Sequence, residues 1–346
     1  MKTILVTGGA GFIGSNFINY IYKKYSNYRI IVLDALTYAG NVENLPIDIN
    51  KIENNDNRII FWHGNVVNAE LVDTLVSESN IVIHFAAESH VTRSIYDNFL
   101  FFQTDVIGTQ TVTNSVLKYK KNIERFIHIS TSEVYGTAQK PLMNEEHPLN
   151  PMSPYAAAKA GADRLVFSYW STYDIPAIII RPFNNYGPYQ HLEKAIPRFI
   201  TSCILNESIT VHGDGSASRD YIFVEDVCKA IDIIMHAKIE KVKGQVFNLA
   251  TGIDRSIISI ARDIIKLMGK DDSLLTFIGD RPGQVIRHTG DIAKMKNTFG
   301  WQPNVLWDEG LQKTIDWYKE NRKFWEKQLW MRSVPIITKD GKRELH

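Results

Sequence analysis

A glycine-rich segment near the amino end constrains the fold more than any other part of the sequence. The β-branched run Lys2–Thr7 leads directly into a G-G-A-G-F-I-G segment, Gly8 to Gly14, and a helical pattern follows. In this order of strand, turn and helix, Gly8 permits a tight turn, Gly11 lets a pyrophosphate approach bare backbone, and Gly14 allows close helix packing. The N–H groups that begin the helix favour an anion. The segment therefore predicts a dinucleotide site.

A second strand-like run ends in a carboxylate. Residues 29–34 are largely apolar up to Asp34, which stands about 20 residues beyond Gly14. A carboxylate at this distance accepts hydrogen bonds from the adenosine ribose and repels a 2′-phosphate. The position favours NAD over NADP, and a turn or helix-capping Asp is the alternative explanation.

Strand-like and helical runs alternate over the first half of the chain. Further strand-like runs occupy residues 58–62, 81–85 and 126–129, and helical patterns occupy 69–78 and 99–120. This alternation predicts an α/β fold, with a Rossmann-type doubly wound parallel sheet that carries helices on both faces.

The stretch from Ser130 to Lys159 has the features of a catalytic centre. A Thr-Ser-Glu cluster, Thr131 to Glu133, follows an apolar run, so a parallel strand would deliver it to the ligand crevice. Tyr155 stands four residues before Lys159, and in a helix the two share one face. Lowering a tyrosine pKa by ~3 units requires ~4 kcal/mol, which a nearby ammonium and an oxidised nicotinamide could supply. A chance Tyr-x-x-x-Lys is common, so this interpretation depends on the upstream glycines.

Composition excludes several classes of function. The net charge of the 346 residues is +1, which gives no basic field for nucleic acid. No apolar run approaches the ~20 residues of a membrane span, and we expect a cytoplasmic protein that acts on no membrane. The two cysteines, Cys203 and Cys228, are expected to be buried thiols. The ten histidines show no metal-ligand spacing, so no metal site is predicted.

These features together resemble the extended short-chain dehydrogenase/reductase family. The T-G-G-x-G-x-x-G opening, Asp34, the Ala86-Ala87 pair, and Tyr155 with Lys159 carry the resemblance, which runs from residue 2 to about 325. Segments at residues 36–41, 87–95 and 184–197 are similar to the nucleotide-sugar 4,6-dehydratases of the dTDP-glucose type.

The resemblance implies a lyase that uses NAD in three stages. Tyr155, assisted by Thr131 and Lys159, would remove the proton of the sugar 4-hydroxyl while hydride leaves C4. Glu133 would then take the C5 proton as water is lost from C6, and hydride would return to C6 to give a 4-keto-6-deoxy sugar. The family also implies a homodimer formed through helices near 99–120 and 154–172.

The family pattern assigns binding residues on both sides of this centre. Contacts to NAD are expected from Gly8, Gly11, Phe12, Ile13, Gly14, Asp34, Asn65, Val66, Ala86, Ala87, Thr104, Tyr155, Lys159 and Asn185. Contacts to the nucleotide sugar are expected from Ser89, Asn184, Lys194, Arg219 and Arg281. Each arginine lies in or beside a glycine-containing loop and could present a guanidinium fork to a diphosphate, although a solvated surface arginine is the alternative.

Departures from the pattern keep other activities open. Ser132 replaces the Asp that protonates the departing 6-hydroxyl in dTDP-glucose-type enzymes, and Thr-Ser-Glu resembles the GDP-mannose 4,6-dehydratases and the UDP-glucuronate decarboxylases. Asn65 and Thr92 each stand where the family has an Asp, and Asp105 stands where the family has an Asn. The alternatives are a UDP-glucuronate decarboxylase, a nucleotide-sugar 4-epimerase, and a catalytically silent binding protein.

The domain organisation follows from the same reasoning. We expect an NAD-binding domain at 1–181, to which segments near 222–250 return, and a smaller α/β nucleotide-sugar domain at 182–330. The tail at 331–346 shows no periodicity and is expected to be loosely held.

Overall fold

The structure alternates strands and helices, as the sequence predicts. The computed structural model describes residues 1–47, 58–279, 284–337 and 341–345, so Arg281 lies outside the described residues. The strands in chain order are β1 Lys2–Thr7, β2 Tyr28–Asp34, β3 Ile59–His63, β4 Ile81–His84, β5 Arg125–Ile129, β6 Ala177–Pro182, β7 Asn184–Tyr186, β8 Ile209–His212, β9 Ser218–Phe223, β10 Val246–Leu249, β11 Asp254–Ser256, β12 Leu275–Ile278, β13 Arg287–His288, β14 Pro335–Ile337 and β15 Arg343–Leu345.

The helices connect these strands. In chain order they are α1 Phe12–Lys24, α2 Ala69–Ser77, α3 Val91–Tyr96, α4 Phe99–Phe101, α5 Thr109–Lys118, α6 Pro154–Tyr173, α7 Ala195–Leu205, α8 Val224–His236, α9 Ile239–Val242, α10 Ile257–Leu267, α11 Ala293–Phe299, α12 Trp307–Glu320 and α13 Arg322–Glu326. Within the described part of the chain, no helix combines the length and apolar character that crossing a membrane requires.

A parallel sheet of seven strands forms the centre of the molecule. Its order is β10-β6-β5-β4-β1-β2-β3. The inner strands are apolar and buried along most of their length, because helices cover both faces of the sheet. The strand order reverses between β1 and β4, and ligands of such sheets bind at the carboxyl ends beside that point. The predicted doubly wound parallel sheet is confirmed.

Three apolar cores hold the layers together. One face of the sheet packs against α1 and α8, through residues such as Phe17 and Ile231, and the other against α2, α5 and α6, through residues such as Val112. The third core joins α7, α10 and α12 around residues such as Phe199 and Leu311. Short sheets lie beside it: β9 pairs with β7, β11 and β13, and β8 pairs with β12. This smaller α/β unit extends beyond the carboxyl ends of the main sheet.

The helical pattern predicted for residues 99–120 is divided into three parts. A π-helical segment, Phe102–Gly108, separates α4 from α5. Wide π turns of this kind occur frequently at functional sites. Thr104 and Asp105 lie in the segment and are buried. Apolar periodicity cannot distinguish this geometry from a continuous α-helix.

The tail is more ordered than the sequence suggests. Strand β14 pairs with β15 in an antiparallel hairpin, and Val334, which precedes it, is buried. The Arg332 guanidinium forms an ion pair with Glu207 at the end of α7. Three-residue strands are too short to produce a readable period, which explains why the sequence did not reveal them.

Candidate active site

Two adjoining cavities open at the carboxyl ends of the main strands. The first has a volume of about 200 Å³ and lies over the glycine-rich segment, and the second, of about 330 Å³, lies between the main sheet and the smaller α/β unit. Tyr155 lines both cavities, as do Ser89 and Lys194. A group in one cavity can therefore react with a group in the other at the Tyr155 hydroxyl.

The first cavity has the backbone of a pyrophosphate site. Gly8 has a φ of +67°, and a Cβ there would lie 2.5 Å from the backbone nitrogen of Ala86. A Cβ on Gly14 would lie 2.4 Å from the Gly8 carbonyl oxygen. Helix α1 begins at Phe12 without a side-chain cap at Gly11, and both residues line the cavity together with Gly8 and Gly14. The N–H groups of the first turn are thus available to an anion.

Asp34 lies at the far side of this cavity, at the end of β2. Its Oδ2 accepts a hydrogen bond from the Ala10 N–H at 2.9 Å, and its Oδ1 accepts one from the Leu36 N–H at 2.8 Å. Burial raises the pKa of this carboxyl, and the two backbone hydrogen bonds oppose that rise. Each oxygen keeps a second lone pair, so the carboxylate fits the ribose hydroxyls of a dinucleotide.

The structure brings together nearly all residues predicted to contact the cofactor. The first cavity is lined by Gly8, Gly11, Phe12, Ile13, Gly14, Asp34, Asn65, Val66, Ala86, Ala87, Thr104, Tyr155 and Lys159. Asn185 instead lines the second cavity, and its Nδ2 donates to the Phe183 carbonyl oxygen at 2.8 Å. It lies on β7, which belongs to the small sheet, and its expected contact with NAD stays a prediction.

Tyr155 and Lys159 lie on the first turns of α6. Ser153 caps this helix by accepting from the Ala156 N–H at 3.1 Å, and Pro154 occupies the first turn. Both side chains are buried, one turn apart. The Lys159 Nζ donates to the Ile129 carbonyl oxygen at 2.8 Å, and the Thr131 hydroxyl forms a hydrogen bond with Tyr155.

The electrostatics around Tyr155 differ from the sequence prediction. Burial raises the pKa of Tyr155, Asp105 and Glu133 raise it further, and the bond from Thr131 opposes them. Burial also lowers the pKa of Lys159. The expected lowering of the Tyr155 pKa is not found in the protein alone, because burial dominates and Lys159 directs its ammonium to a carbonyl.

Glu133 projects into the second cavity from a short 3-10 turn, Ser132–Tyr135. The Thr131 Oγ caps this turn by accepting from the Glu133 N–H at 3.2 Å. The Glu133 Oε1 lies 3.8 Å from the Arg219 Nε and 3.8 Å from the His288 Nδ1. Ser132 also lines the cavity and offers only a hydroxyl. Glu133 therefore supplies the carboxyl of this turn, a group that can take or give a proton.

The predicted substrate residues that the structure describes meet at the second cavity. Ser89, Asn184, Lys194 and Arg219 all line it. The Lys194 Nζ donates to the Ser89 carbonyl oxygen at 2.6 Å, and the Arg219 Nη1 donates to the Val285 carbonyl oxygen at 2.8 Å. These bonds hold two cationic groups in the lining of the second cavity, where a diphosphate would be attracted.

Two residues near the reacting groups were missed by sequence reasoning. His288 is buried on β13 against Glu133, and no spacing in the sequence links positions so far apart. Asp105 was identified only as a departure from the family. Its Oδ1 accepts from the Glu88 N–H at 2.8 Å, and burial raises its pKa to about 8, against the opposing charge of Lys159.

Comparison with known proteins decides the family. A family model described as GDP-mannose 4,6 dehydratase matches residues 5–314. The chain belongs to that family. Among the proteins similar to the chain is the low-salt glycan biosynthesis protein Agl12 of Haloferax volcanii, which is 42% identical over 91% of this chain and 98% of its own length. The dTDP-glucose 4,6-dehydratase of Streptomyces niveus is 37% identical over 93% of this chain and 94% of its own.

A solved structure agrees with this assignment. The dTDP-glucose 4,6-dehydratase of Bacillus anthracis, crystallised in complex with NAD, superimposes with a TM-score of 0.85 at 37% identity. The match covers 95% of this chain and 100% of that one. The predicted resemblance to nucleotide-sugar 4,6-dehydratases of the extended short-chain dehydrogenase/reductase type is thus confirmed.

Proposed function

We propose that the chain is an NAD-dependent nucleotide-sugar 4,6-dehydratase, a hydro-lyase that converts dTDP-glucose to the 4-keto-6-deoxy sugar. One observation carries the proposal most directly: Tyr155 lies where the two cavities meet, and Glu133 faces the second cavity next to it. An oxidation group and an elimination group therefore address the same substrate. Residues 1–181, with the return near 222–250, would hold NAD, and residues 182–330 would hold the nucleotide sugar.

Oxidation at C4 uses the residues at the border of the cavities. NAD bound in the first cavity supplies the hydride acceptor for C4 and the hydride donor for C6. Tyr155 takes the proton of the 4-hydroxyl, and Thr131 stabilises the phenolate through its hydrogen bond. Because burial raises the Tyr155 pKa, the phenolate needs positive charge nearby, which the oxidised nicotinamide would supply once NAD is bound. Lys159, whose Nζ donates to the Ile129 carbonyl oxygen, lies one turn away on the same helix.

Elimination uses the 3-10 turn. Once C4 is a ketone, the C5 proton is acidic, and Glu133 removes it as the C6–O bond breaks. Ser132 is a poor acid, so the proton that Glu133 has accepted must also leave with the departing hydroxyl as water. Arg219 stabilises the Glu133 carboxylate at the start and end of this step.

A panel of substrates tests the proposal. The purified protein is incubated with dTDP-glucose, UDP-glucose, UDP-N-acetylglucosamine, GDP-mannose and UDP-glucuronate, and the products are identified by mass. Loss of one water from dTDP-glucose is expected. Loss of carbon dioxide from UDP-glucuronate would identify a decarboxylase, and an unchanged mass with an inverted C4 would identify a 4-epimerase. If no sugar loses water, the proposal fails.

We also infer a homodimer that acts in the cytoplasm. The segment around the π-helix exposes apolar side chains to solvent: Phe99 is 72% exposed, Phe102 43% and Ile107 49%. Exposed apolar patches of this kind are typical of subunit interfaces. The patch coincides with the helices through which the family resemblance implies dimerisation. The cytoplasmic location rests on composition.

A further inference from the structure

The surroundings of Glu133 contain a histidine in an unusual state. His288 is fully buried on β13, and its Nε2 lies 2.5 Å from the Gly136 carbonyl oxygen. A carbonyl oxygen only accepts hydrogen bonds, so Nε2 carries the proton. Burial also lowers the pKa of His288, which favours the neutral ring. The other nitrogen, Nδ1, therefore holds a lone pair.

This nitrogen lies close to the carboxyl of Glu133. Nδ1 lies 3.8 Å from the Glu133 Oε1, and within the described residues it has no hydrogen-bond partner. A carboxylate oxygen and a bare ring nitrogen are both acceptors and cannot bond to each other. If Glu133 is protonated, its O–H can donate to Nδ1, and an approach of about 1 Å gives an ordinary hydrogen bond.

Glu133 thus has two neighbours with opposite preferences. Arg219, whose Nε lies 3.8 Å from the same oxygen, favours the carboxylate, whereas His288 favours the acid. A group that takes and returns one proton within a turnover works best when neither form is strongly favoured. With Ser132 beside it, Glu133 has this task.

We propose that His288 is a positioning residue that stabilises the protonated form of Glu133, so that one carboxyl takes the C5 proton and passes it to the departing hydroxyl. The inference rests on the proposed dehydratase function. The C5–H bond breaks and its electron pair forms the C5–C6 double bond as the C6–O bond breaks. The proton moves from C5 to Glu133, is held there by the hydrogen bond to Nδ1, and leaves as part of water.

Two substitutions at His288 separate this role from a structural one. His288→Gln places an amide nitrogen near the position of Nε2, so it keeps the bond to Gly136 and loses the acceptor that faces Glu133. His288→Asn places an amide oxygen near the position of Nδ1 and loses the bond to Gly136. If His288 has a purely structural role, His288→Gln should slow elimination less than His288→Asn does. The proposed role predicts the reverse, that His288→Asn slows elimination less.

The experiment measures oxidation and elimination separately in the intact protein with NAD and dTDP-glucose. With His288→Gln, we expect the substrate to reduce NAD at the wild-type rate and the reduced cofactor to accumulate during turnover. Elimination of water from the sugar should be at least about tenfold slower than in the wild type. His288→Asn is expected to restore much of the elimination rate, with a lower melting temperature.

Three results would overturn the inference. They are wild-type elimination by His288→Gln, equal loss of oxidation and elimination in that variant, or a slower elimination in His288→Asn than in His288→Gln. Failure of the wild-type protein to remove water from any sugar would instead count against the proposed function itself, so the two failures are distinguishable.

Discussion

At position 132 the side chain is a hydroxyl, and in the proposed elimination this residue determines which group can protonate the leaving hydroxyl. A serine has too high a pKa to protonate a departing hydroxyl at neutral pH. Glu133 follows it on the same turn, and the Glu133 Oε1 faces Arg219 and His288 at equal distances of 3.8 Å. In the proposed reaction, this one carboxyl would do both the acid and the base work.

Substitution of that carboxyl isolates the elimination step. In Glu133→Gln, we expect the rates of water loss and of solvent exchange at C5 to fall at least about a hundredfold, because the amide cannot accept the proton. NAD reduction by the substrate should persist, since Tyr155 and Lys159 are unchanged. The measurement combines cofactor absorbance with mass analysis of product formed in heavy water. Normal turnover of the variant would remove Glu133 from its role.

Asp105 gives a pH-dependent prediction at the same scale. Burial raises its pKa to about 8, and an unfolded aspartate titrates near ~3.9. Its contribution to stability is therefore complete below about pH 4 and is lost as the pH rises towards about 8, because the unfolded chain releases the proton first.

Asp105→Asn removes this dependence. The melting temperature of the variant, relative to wild type, should rise between about pH 5 and about pH 8. Thermal unfolding at several pH values measures it. A difference that stays constant with pH would mean that the carboxyl is already ionised in the native protein and that the inferred direction is wrong.

Among the elements, local ones were predictable from sequence and distant ones were not. The turn from β1 into α1 depends on residues within one short segment, whose glycines identify it. The contact of His288 with Glu133 joins β13 to a turn more than a hundred positions earlier, and only the folded sheets create it. The π-helical segment, Phe102–Gly108, was also hidden, because its apolar residues suit an ordinary helix equally well.

The approach of α1 to its preceding turn can be tested directly. Gly14→Ala would place a Cβ 2.4 Å from the Gly8 carbonyl oxygen, so the turn must shift. We expect NAD binding to weaken at least about tenfold and the melting temperature to fall.

Gly161→Ala on α6 is the matched control for this change. Its Cβ would lie 3.5 Å from the Val106 Cγ2, an ordinary contact, and alanine favours the helix. NAD affinity should be unchanged in this variant. Titration calorimetry measures both proteins, and wild-type affinity in Gly14→Ala would contradict the assignment of this turn to the pyrophosphate.

At the scale of the whole molecule, the exposed apolar side chains around the π-helix predict that two copies of the chain form a dimer. Phe102→Glu combined with Ile107→Glu would put two charges into the exposed apolar segment around the π-helix, and charges without partners disfavour a buried interface. Sedimentation should show dissociation to a monomer. Phe277→Glu on β12, where the wild-type side chain is 54% exposed, is the control and should leave the dimer intact. A dimer that survives the double substitution would place the interface elsewhere. A wild-type protein that is monomeric would contradict the inferred dimer.

In the proposed reaction, both halves of the molecule would contribute residues. Tyr155 and Lys159 come from a helix of the main sheet, while Arg219 and His288 come from the small sheet that β9 organises. The proposed reaction therefore requires a substrate that lies across both cavities and is oxidised and dehydrated without leaving.

The most direct test of that account follows a label through one turnover. dTDP-glucose carrying deuterium at C4 is incubated with the protein and NAD, and the position of the label in the product is determined. We predict a 4-keto-6-deoxy sugar in which the deuterium has moved to C6 of the same molecule, with a solvent-derived hydrogen at C5. A product that retains its C6 oxygen, or one whose deuterium is lost to solvent, would contradict the proposed reaction.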